Sequence, residues 1–188
     1  MTEIFEQIYR DKVWVTKHQN PPSLSGPSSF AQWAHEYYTF LYEFIDKNSV
    51  TSVVDYGCGD NGLYDDFDWG PINYTGIDVS QTAINLARMK HPDKTFICTE
   101  TFDVPAADLL IVKDVFGHWS GGKSTKKLGN QLHLITEFMD RNHKKFRCVL
   151  IVDGGDLSKY FPKDFNFYNL HINFNKKPKI LHIKGAPV

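Results

Sequence analysis

The residues best suited to chemistry begin at Val53-Val-Asp-Tyr-Gly-Cys-Gly-Asp-Asn-Gly62, where a β-branched run breaks into glycines. Glycine permits positive φ there and lets the backbone approach a ligand closely. Gly57-x-Gly59-x-x-Gly62 matches the dinucleotide fingerprint, and Asp78 follows at about the distance of the acid that holds a ribose. A nucleoside-bearing ligand is the chemistry this pattern serves.

Charge separates the possible ligands. Between residues 55 and 68 stand five acids, Asp55, Asp60, Asp65, Asp66 and Asp68, and no base. A pyrophosphate would meet repulsion, only partly offset by a helix N-terminus. S-adenosylmethionine carries a sulfonium and an ammonium against one carboxylate, so an acid-rich loop suits it better than a nicotinamide dinucleotide, the rival on pattern. Asp55 sits where it can order the turn and accept from the ammonium. Asp78, at the end of the next strand, can accept from both ribose hydroxyls, and Glu100, after the third, can face the adenine. The candidate cofactor contacts are Asp55, Gly57, Cys58, Gly59, Asp78, Val79, Glu100 and Thr101. A lone acid after a strand is most often a cap, but acids in order at successive strand ends mark the ligand edge of an open α/β sheet.

A second polar constellation leaves the fourth apolar run, Asp108-Leu-Leu-Ile-Val-Lys-Asp-Val-Phe-Gly-His-Trp119. Asp114 or His118 can deprotonate a hydroxyl or amine acceptor, with Lys113 orienting it; the bland reading has Asp114 as a cap and His118 as packing. The same stretch holds Gly117-x-x-x-x-Gly122-Lys123-Ser124, a literal Walker A pattern, and Cys148 to Asp153 resembles Walker B. Against a P-loop, Lys113 to Phe116 intervene after the strand, His118 and Trp119 crowd the loop, and the earlier acids go unexplained. Two lesser groups are His171 and His182, expected to face each other across a hairpin, and the run Lys123, Lys126 and Lys127, whose ordinary meaning is a solvated helix start.

These residues need elements to hold them. Ile4, Ile8 and Trp14 suggest a helix over 3–15, and the breaker-rich 20–29 is a loop long enough to be a lid. Apolar positions from Phe30 to Ile45 recur at helical spacing, with Ser28 or Ser29 as N-cap. From Thr51 on, strands at 51–56, 74–77, 95–98, 109–112 and 148–152 alternate with helices at 80–90 and 124–142. Such alternation implies a mostly parallel Rossmann-like α/β sheet with helices on both faces. Residues 169–174 and 179–184 predict an antiparallel hairpin at its edge.

Composition bounds the rest. The 188 residues fit one domain, divided into N-terminal helices and lid (1–48), a cofactor-binding core (49–153) and a C-terminal hairpin (154–188). A net charge of -1 argues against nucleic acid as a partner, and no apolar run is long enough for a membrane span. Cys58, Cys98 and Cys148 form no CxxC pair, so neither a disulfide framework nor a metal site is expected. With no secretory leader at 1–7, the expected setting is the cytoplasm.

The ordered motifs resemble those of class I S-adenosylmethionine-dependent methyltransferases: Asp55-Tyr-Gly-Cys-Gly59, Tyr74-Thr-Gly-Ile-Asp-Val79 and Asp108-Leu-Leu-Ile-Val-Lys-Asp-Val115. More narrowly, Ser25-Gly-Pro-Ser-Ser29, Gly57-Cys-Gly-Asp60 and Lys113-Asp-Val-Phe-Gly-His-Trp119 are similar to segments of a group of small bacterial and viral members. The resemblance spans most of residues 8–153. It implies cofactor contacts at Asp55, Gly57, Gly59, Asp78 and Glu100 but does not settle the acceptor; the ordered acids and the polar end of the fourth strand lead to methyl transfer to oxygen or nitrogen of a small-molecule or saccharide-like acceptor. Two departures stand out: Ser28 replaces a glycine, which would stiffen the lid, and Asp60-Asn61 replaces Asp-Trp, which would alter the methionine pocket. The N-P-P-aromatic motif of amino-methylating DNA enzymes is absent. A non-catalytic cofactor-binding or partner-binding module is the alternative, because the short C-terminal part leaves little room for substrate recognition.

Overall fold

A computed structural model of the chain describes residues 2–15, 23–26, 29–30, 34–119, 131, 133–154, 156–174 and 177–186. Strands β1 (Ser52–Tyr56), β2 (Asn73–Asp78), β3 (Thr95–Cys98), β4 (Leu109–Lys113) and β5 (Cys148–Asp153) run parallel. The hairpin strands β6 (Tyr168–Phe174) and β7 (Lys177–Lys184) complete one seven-stranded sheet in the order β3-β2-β1-β4-β5-β7-β6, with β7 antiparallel to β5. The strand order reverses between β1 and β4, and ligands of open α/β sheets bind outside the carboxyl ends at such a point.

β4 and β5 are buried throughout, which is why they read as unbroken apolar runs. Alternate residues serve opposite faces. Leu109, Ile111, Leu150 and Val152 pack under α2 (His35–Lys47) and α3 (Gln81–Lys90). Leu110, Val112, Val149 and Ile151 pack under α4 (Phe116–Trp119) and α5 (His133–Asn142). Ser80 caps α3 as its sequence suggests, accepting from Ala83 N. Among the described residues no helix is long and apolar enough to cross a membrane.

Three local expectations change, and the crossover after β1 takes a form of its own. The first helix, α1, is Thr2–Arg10, so Trp14 lies beyond it in a turn. The N-cap of α2 is Ala34, which offers no side-chain acceptor, while Ser29 Oγ donates instead to Ser25 O at 3.3 Å. The crossover from β1 to β2 holds no α-helix, only the 3-10 turn Gly62–Tyr64. Its volume is filled by Tyr64, Phe67 and Trp69, packed ring against ring and onto Tyr74. Finally, His182 pairs with Asn169 and His171 with Ile180, so the two histidines do not face each other. His182 is fully buried, with Nδ1 2.7 Å from Asn169 Oδ1 and Nε2 accepting from Leu157 N at 3.3 Å. One residue of register decides which side chains meet.

Two carboxylates fasten the N-terminal segment over the sheet's carboxyl edge. Glu6 on α1 accepts from Ser80 Oγ at 2.7 Å and from Thr82 N at 3.2 Å, so the helix sits on the start of α3. Asp60 accepts from Ser25 Oγ (2.5 Å), Leu24 N (2.8 Å) and Ser23 Oγ (3.0 Å), with Lys90 Nζ at 3.4 Å. Burial alone would raise the Asp60 pKa, but Lys90 and these donors outweigh it and hold it below the usual range. A carboxyl depressed in the folded state adds stability above its unfolded pKa and loses it as pH falls through the folded one. Asp60→Ala should therefore cost on the order of 2 kcal/mol at pH 7. Urea unfolding at pH 7 and pH 3 checks this: the deficit should shrink in acid, and an unchanged midpoint at pH 7 would remove Asp60 as a fastening.

Candidate functional site

The turn after β1 folds back onto the end of β2. Gly57 N and Cys58 N both donate to Ile77 O, at 2.7 and 3.1 Å. Gly57 and Gly59 adopt φ of +81° and +59°, the left-handed region where a side chain is strained. Space excludes one as well: a Cβ on Gly57 would overlap Val115 Cγ2, and one on Gly59 would overlap Ser25 Oγ and Tyr9 Oη. Asp78 ties the turn to β2 by accepting from Gly59 N (3.0 Å) and Ser80 N (2.8 Å). Burial lifts its pKa to about 6, partly opposed by those N–H donors.

Beside this turn lies a cleft open to solvent, whose empty space is about 700 Å³ with the solvent at its mouth included. Of the expected contacts, Gly57, Cys58, Asp78 and Val79 line it, as do Lys113, Asp114 and His118. Others lie elsewhere. Asp55 is buried behind the turn, its Oδ2 2.7 Å from Tyr74 Oη, and burial pushes its pKa up to about 7. Gly59 faces Ser25 and Tyr9. Glu100 and Thr101 are exposed, and Thr99 lines the cleft in their place. The acid-rich loop also resolves differently from its sequence appearance. Asp60 holds the N-terminal segment, Asp65 pairs with Lys90 and His91, and Asp66 and Asp68 are exposed, so none of them lines the cleft.

At the end of β4, Asp114 is a non-glycine residue at φ +58°, with its N–H bonded to Val152 O at 2.8 Å. Its carboxylate meets two ammonium groups: Lys113 Nζ at 2.6 Å and Lys179 Nζ from β7. Burial would raise the Asp114 pKa, but the two cations outweigh it and hold the group far below the carboxylate range. Asp114 is thus an ion-pair centre and a weak base. His118, four residues on in α4, stacks against Trp14 with centroids 4.9 Å apart, and Phe5 packs against it edge to face. Burial, helped by Lys179 and Lys113 and opposed by Asp114, lowers its pKa, which favours a neutral imidazole able to accept a proton.

Of the P-loop pattern, only Gly117 to Trp119 fall among the described residues. Gly117 lies inside α4, and its N–H donates to Asp153 Oδ2 at 2.8 Å, so the Walker B-like acid caps the Walker A-like glycine. Residues 120–124 of that pattern, and Lys123, Lys126 and Lys127, lie outside the described residues, as does Ser28. Among the described residues no group of three or more His, Cys, Asp or Glu side chains is arranged to hold a metal ion.

Sequence reasoning missed the cleft's roof. Phe5, Tyr9, Trp14 and Ser25 line it from the N-terminal segment, opposite Tyr56 and Trp119. The amphipathic pattern of α1 was visible, but not the surface it covers.

Solved structures share the fold. Magnesium protoporphyrin IX methyltransferase (ChlM) from Synechocystis PCC 6803, solved with bound SAM, superposes with a TM-score of 0.66 at 14% identity, over 98% of this chain and 95% of its own. N-methyltransferase NodS from Bradyrhizobium japonicum WM9, in complex with S-adenosyl-L-homocysteine, gives 0.60 at 13% identity over 83% and 88%. The bifunctional kinase-methyltransferase WbdD gives 0.60 at 14% identity over 82% of this chain, which spans only 42% of that protein. No protein-family model matches the chain, and no curated protein matches it in sequence. The chain has the class I methyltransferase fold.

Asp55 supplies a pH test of the site's interior. With its folded pKa about 7 and its unfolded value near 4, the unfolded chain sheds its proton first, so stability falls as pH rises between those values. Asp55→Asn removes that dependence. From pH 5 to pH 8 the variant should gain on the parent by about 2–3 kcal/mol in urea unfolding; parallel curves would mean Asp55 is ionised throughout.

Proposed function

We propose that this chain binds S-adenosylmethionine in the cleft and transfers its methyl group to an oxygen or nitrogen of a small-molecule acceptor. One observation carries the cofactor: the glycine turn delivers the Asp78 carboxylate to the cleft but leads into a 3-10 turn rather than a helix. A dinucleotide's pyrophosphate is ordinarily held at a helix N-terminus, which the segment Gly62–Tyr64 does not supply. Among the described residues Lys113 is the one Lys or Arg lining the cleft, and it is paired with Asp114. A ligand that is cationic at sulfur and bears ribose hydroxyls fits these groups. Gly57, Cys58, Asp78, Val79 and Thr99 would hold it, Asp78 accepting from the ribose. The ligands named for the ChlM and NodS structures, SAM and S-adenosyl-L-homocysteine, support the same choice.

Bound there, the cofactor supplies an electrophilic methyl group on a sulfonium sulfur. The chain's own residues then act on the acceptor. Ring faces of Phe5, Trp14 and Trp119 offer packing for a flat or CH-rich molecule, saccharides included. His118 accepts the proton of the attacking hydroxyl or amine and passes it to water. The acceptor atom gains the methyl carbon, and the electrons of the broken carbon–sulfur bond stay on sulfur. Asp114, held by two lysines, is the poorer base of the two candidates. Three unbridged cysteines are compatible with a cytoplasmic setting.

Calorimetric titration of S-adenosylmethionine, with NAD and ATP as controls, tests the cofactor. Binding selective for S-adenosylmethionine should weaken at least tenfold in Asp78→Ala, about the worth of one charge-assisted hydrogen bond. Selective NAD or ATP binding would overturn the reading. With an acceptor found by panel turnover, His118→Ala should lower kcat by about 10²–10⁴-fold while leaving cofactor affinity intact. Binding with no turnover on any acceptor would instead favour a non-catalytic module.

A further inference from the structure

The antiparallel sense of the last strand has a consequence at the site. β7 pairs with β5 in the register Asp153↔Ile180, so the early residues of β7 lie at the carboxyl end of β5 rather than at its start. Lys179 therefore emerges at the same sheet edge as Lys113, which pairs with Val152 on the other side of β5. There it reaches across β5 to Asp114, and its side chain is only 14% exposed. The ion pair joins an element outside the parallel core to Asp114, four residues before His118.

We infer that Lys179 is a positioning residue for the proposed reaction: by pairing with Asp114 it offsets that carboxylate's charge beside His118 and keeps the imidazole neutral, able to take the acceptor's proton. The catalytic consequence rests on the methyl-transfer reading; the electrostatic one does not. Without Lys179, Asp114 would face the imidazole with one cation instead of two and would stabilise its protonated form.

The charged and titratable groups around His118 pull in opposite directions, the lysines against Asp114. From β4 come Lys113 and Asp114, and from β7 comes Lys179. From β5, Asp153 reaches α4 through Gly117 N, with its other oxygen accepting from Gly154 N. From the N-terminal segment come the rings of Phe5 and Trp14, and Tyr9, whose hydroxyl is 2.9 Å from Ser25 Oγ. The two lysines favour the neutral imidazole and Asp114 opposes them. Lys113 is set by its place on β4, whereas Lys179 depends on the hairpin. Correct docking of the hairpin is thereby coupled to the protonation state of the candidate base.

The test tracks the His118 imidazole resonance against pH in the cofactor-free protein, assigned with His118→Gln. Lys179→Met should move the titration midpoint upward, Lys179→Arg should leave it at the parent position, and Asp114→Asn should move it downward. If Lys179→Met fails to fold, Lys179→Gln carries the same expectation. With an acceptor in hand, the acid limb of kcat should move upward in the neutral variants and be restored in Lys179→Arg. A folded neutral variant whose His118 midpoint stays put would overturn the inference. If the parent binds no S-adenosylmethionine, the functional reading falls, and the midpoint alone decides the role of Lys179.

Discussion

The backbone of the glycine turn, closed against the end of β2, is the constraint on which the site depends. Ile77 O receives two N–H groups, from Gly57 and Cys58, and the next carboxylate, Asp78, receives the N–H of Gly59. Closing the turn this tightly brings Val115 from one side and Ser25 with Tyr9 from the other to within contact of bare glycine backbone. Both glycines are therefore set twice, by φ and by space. Moving the turn outward would separate Asp78 from Gly59 and open the cleft wall. It would also release the N-terminal segment that rests on it.

That segment is held by charge, and this alters the meaning of the acid-rich loop. Counted along the chain, five acids and no base promise a negative ligand pocket. In three dimensions Asp60 turns toward Ser23, Leu24 and Ser25, and Asp65 turns toward Lys90 and His91. Of the loop's acids, Asp60 fastens the N-terminal segment and Asp65 an adjoining pair of bases, and neither lines the cleft. Net charge in a sequence window does not say which way side chains point, and buried acids gather donors because burial without them is costly.

Legibility depended on how local each determinant is. The buried strands and the Ser80 cap are set by neighbours in sequence, and periodicity or residue type displays them; the glycines at 57 and 59 show by type, while the crowding by Val115, Ser25 and Tyr9 does not. The placement of His182 is not: one step of hairpin register puts Asn169, not His171, opposite it. Thr99 rather than Glu100 reaches the cleft for a similar reason, since successive residues leave a strand end in different directions. Least legible were the groups brought from afar. Phe5, Tyr9 and Trp14 reach the cleft from the N-terminal segment, and Lys179 reaches Asp114 from the C-terminal hairpin; no local pattern announces either contact.

The shortened crossover links fold to ligand. Parallel neighbours are usually joined through a helix, and in dinucleotide-binding sheets that helix points its N-terminus at the pyrophosphate. Here Tyr64, Phe67 and Trp69 fill the corresponding volume with rings that pack on Tyr74 and Tyr38, while the turn itself ends in a 3-10 segment. Apolar packing thus replaces an oriented dipole, and with it goes the strongest device for holding phosphate. The turn keeps close backbone approach and the Asp78 carboxylate beside it, the groups proposed above for a nucleoside without phosphate. The glycine spacing is common to both kinds of ligand, so the crossover from Gly62 to Trp69, and not the glycines themselves, discriminates between them.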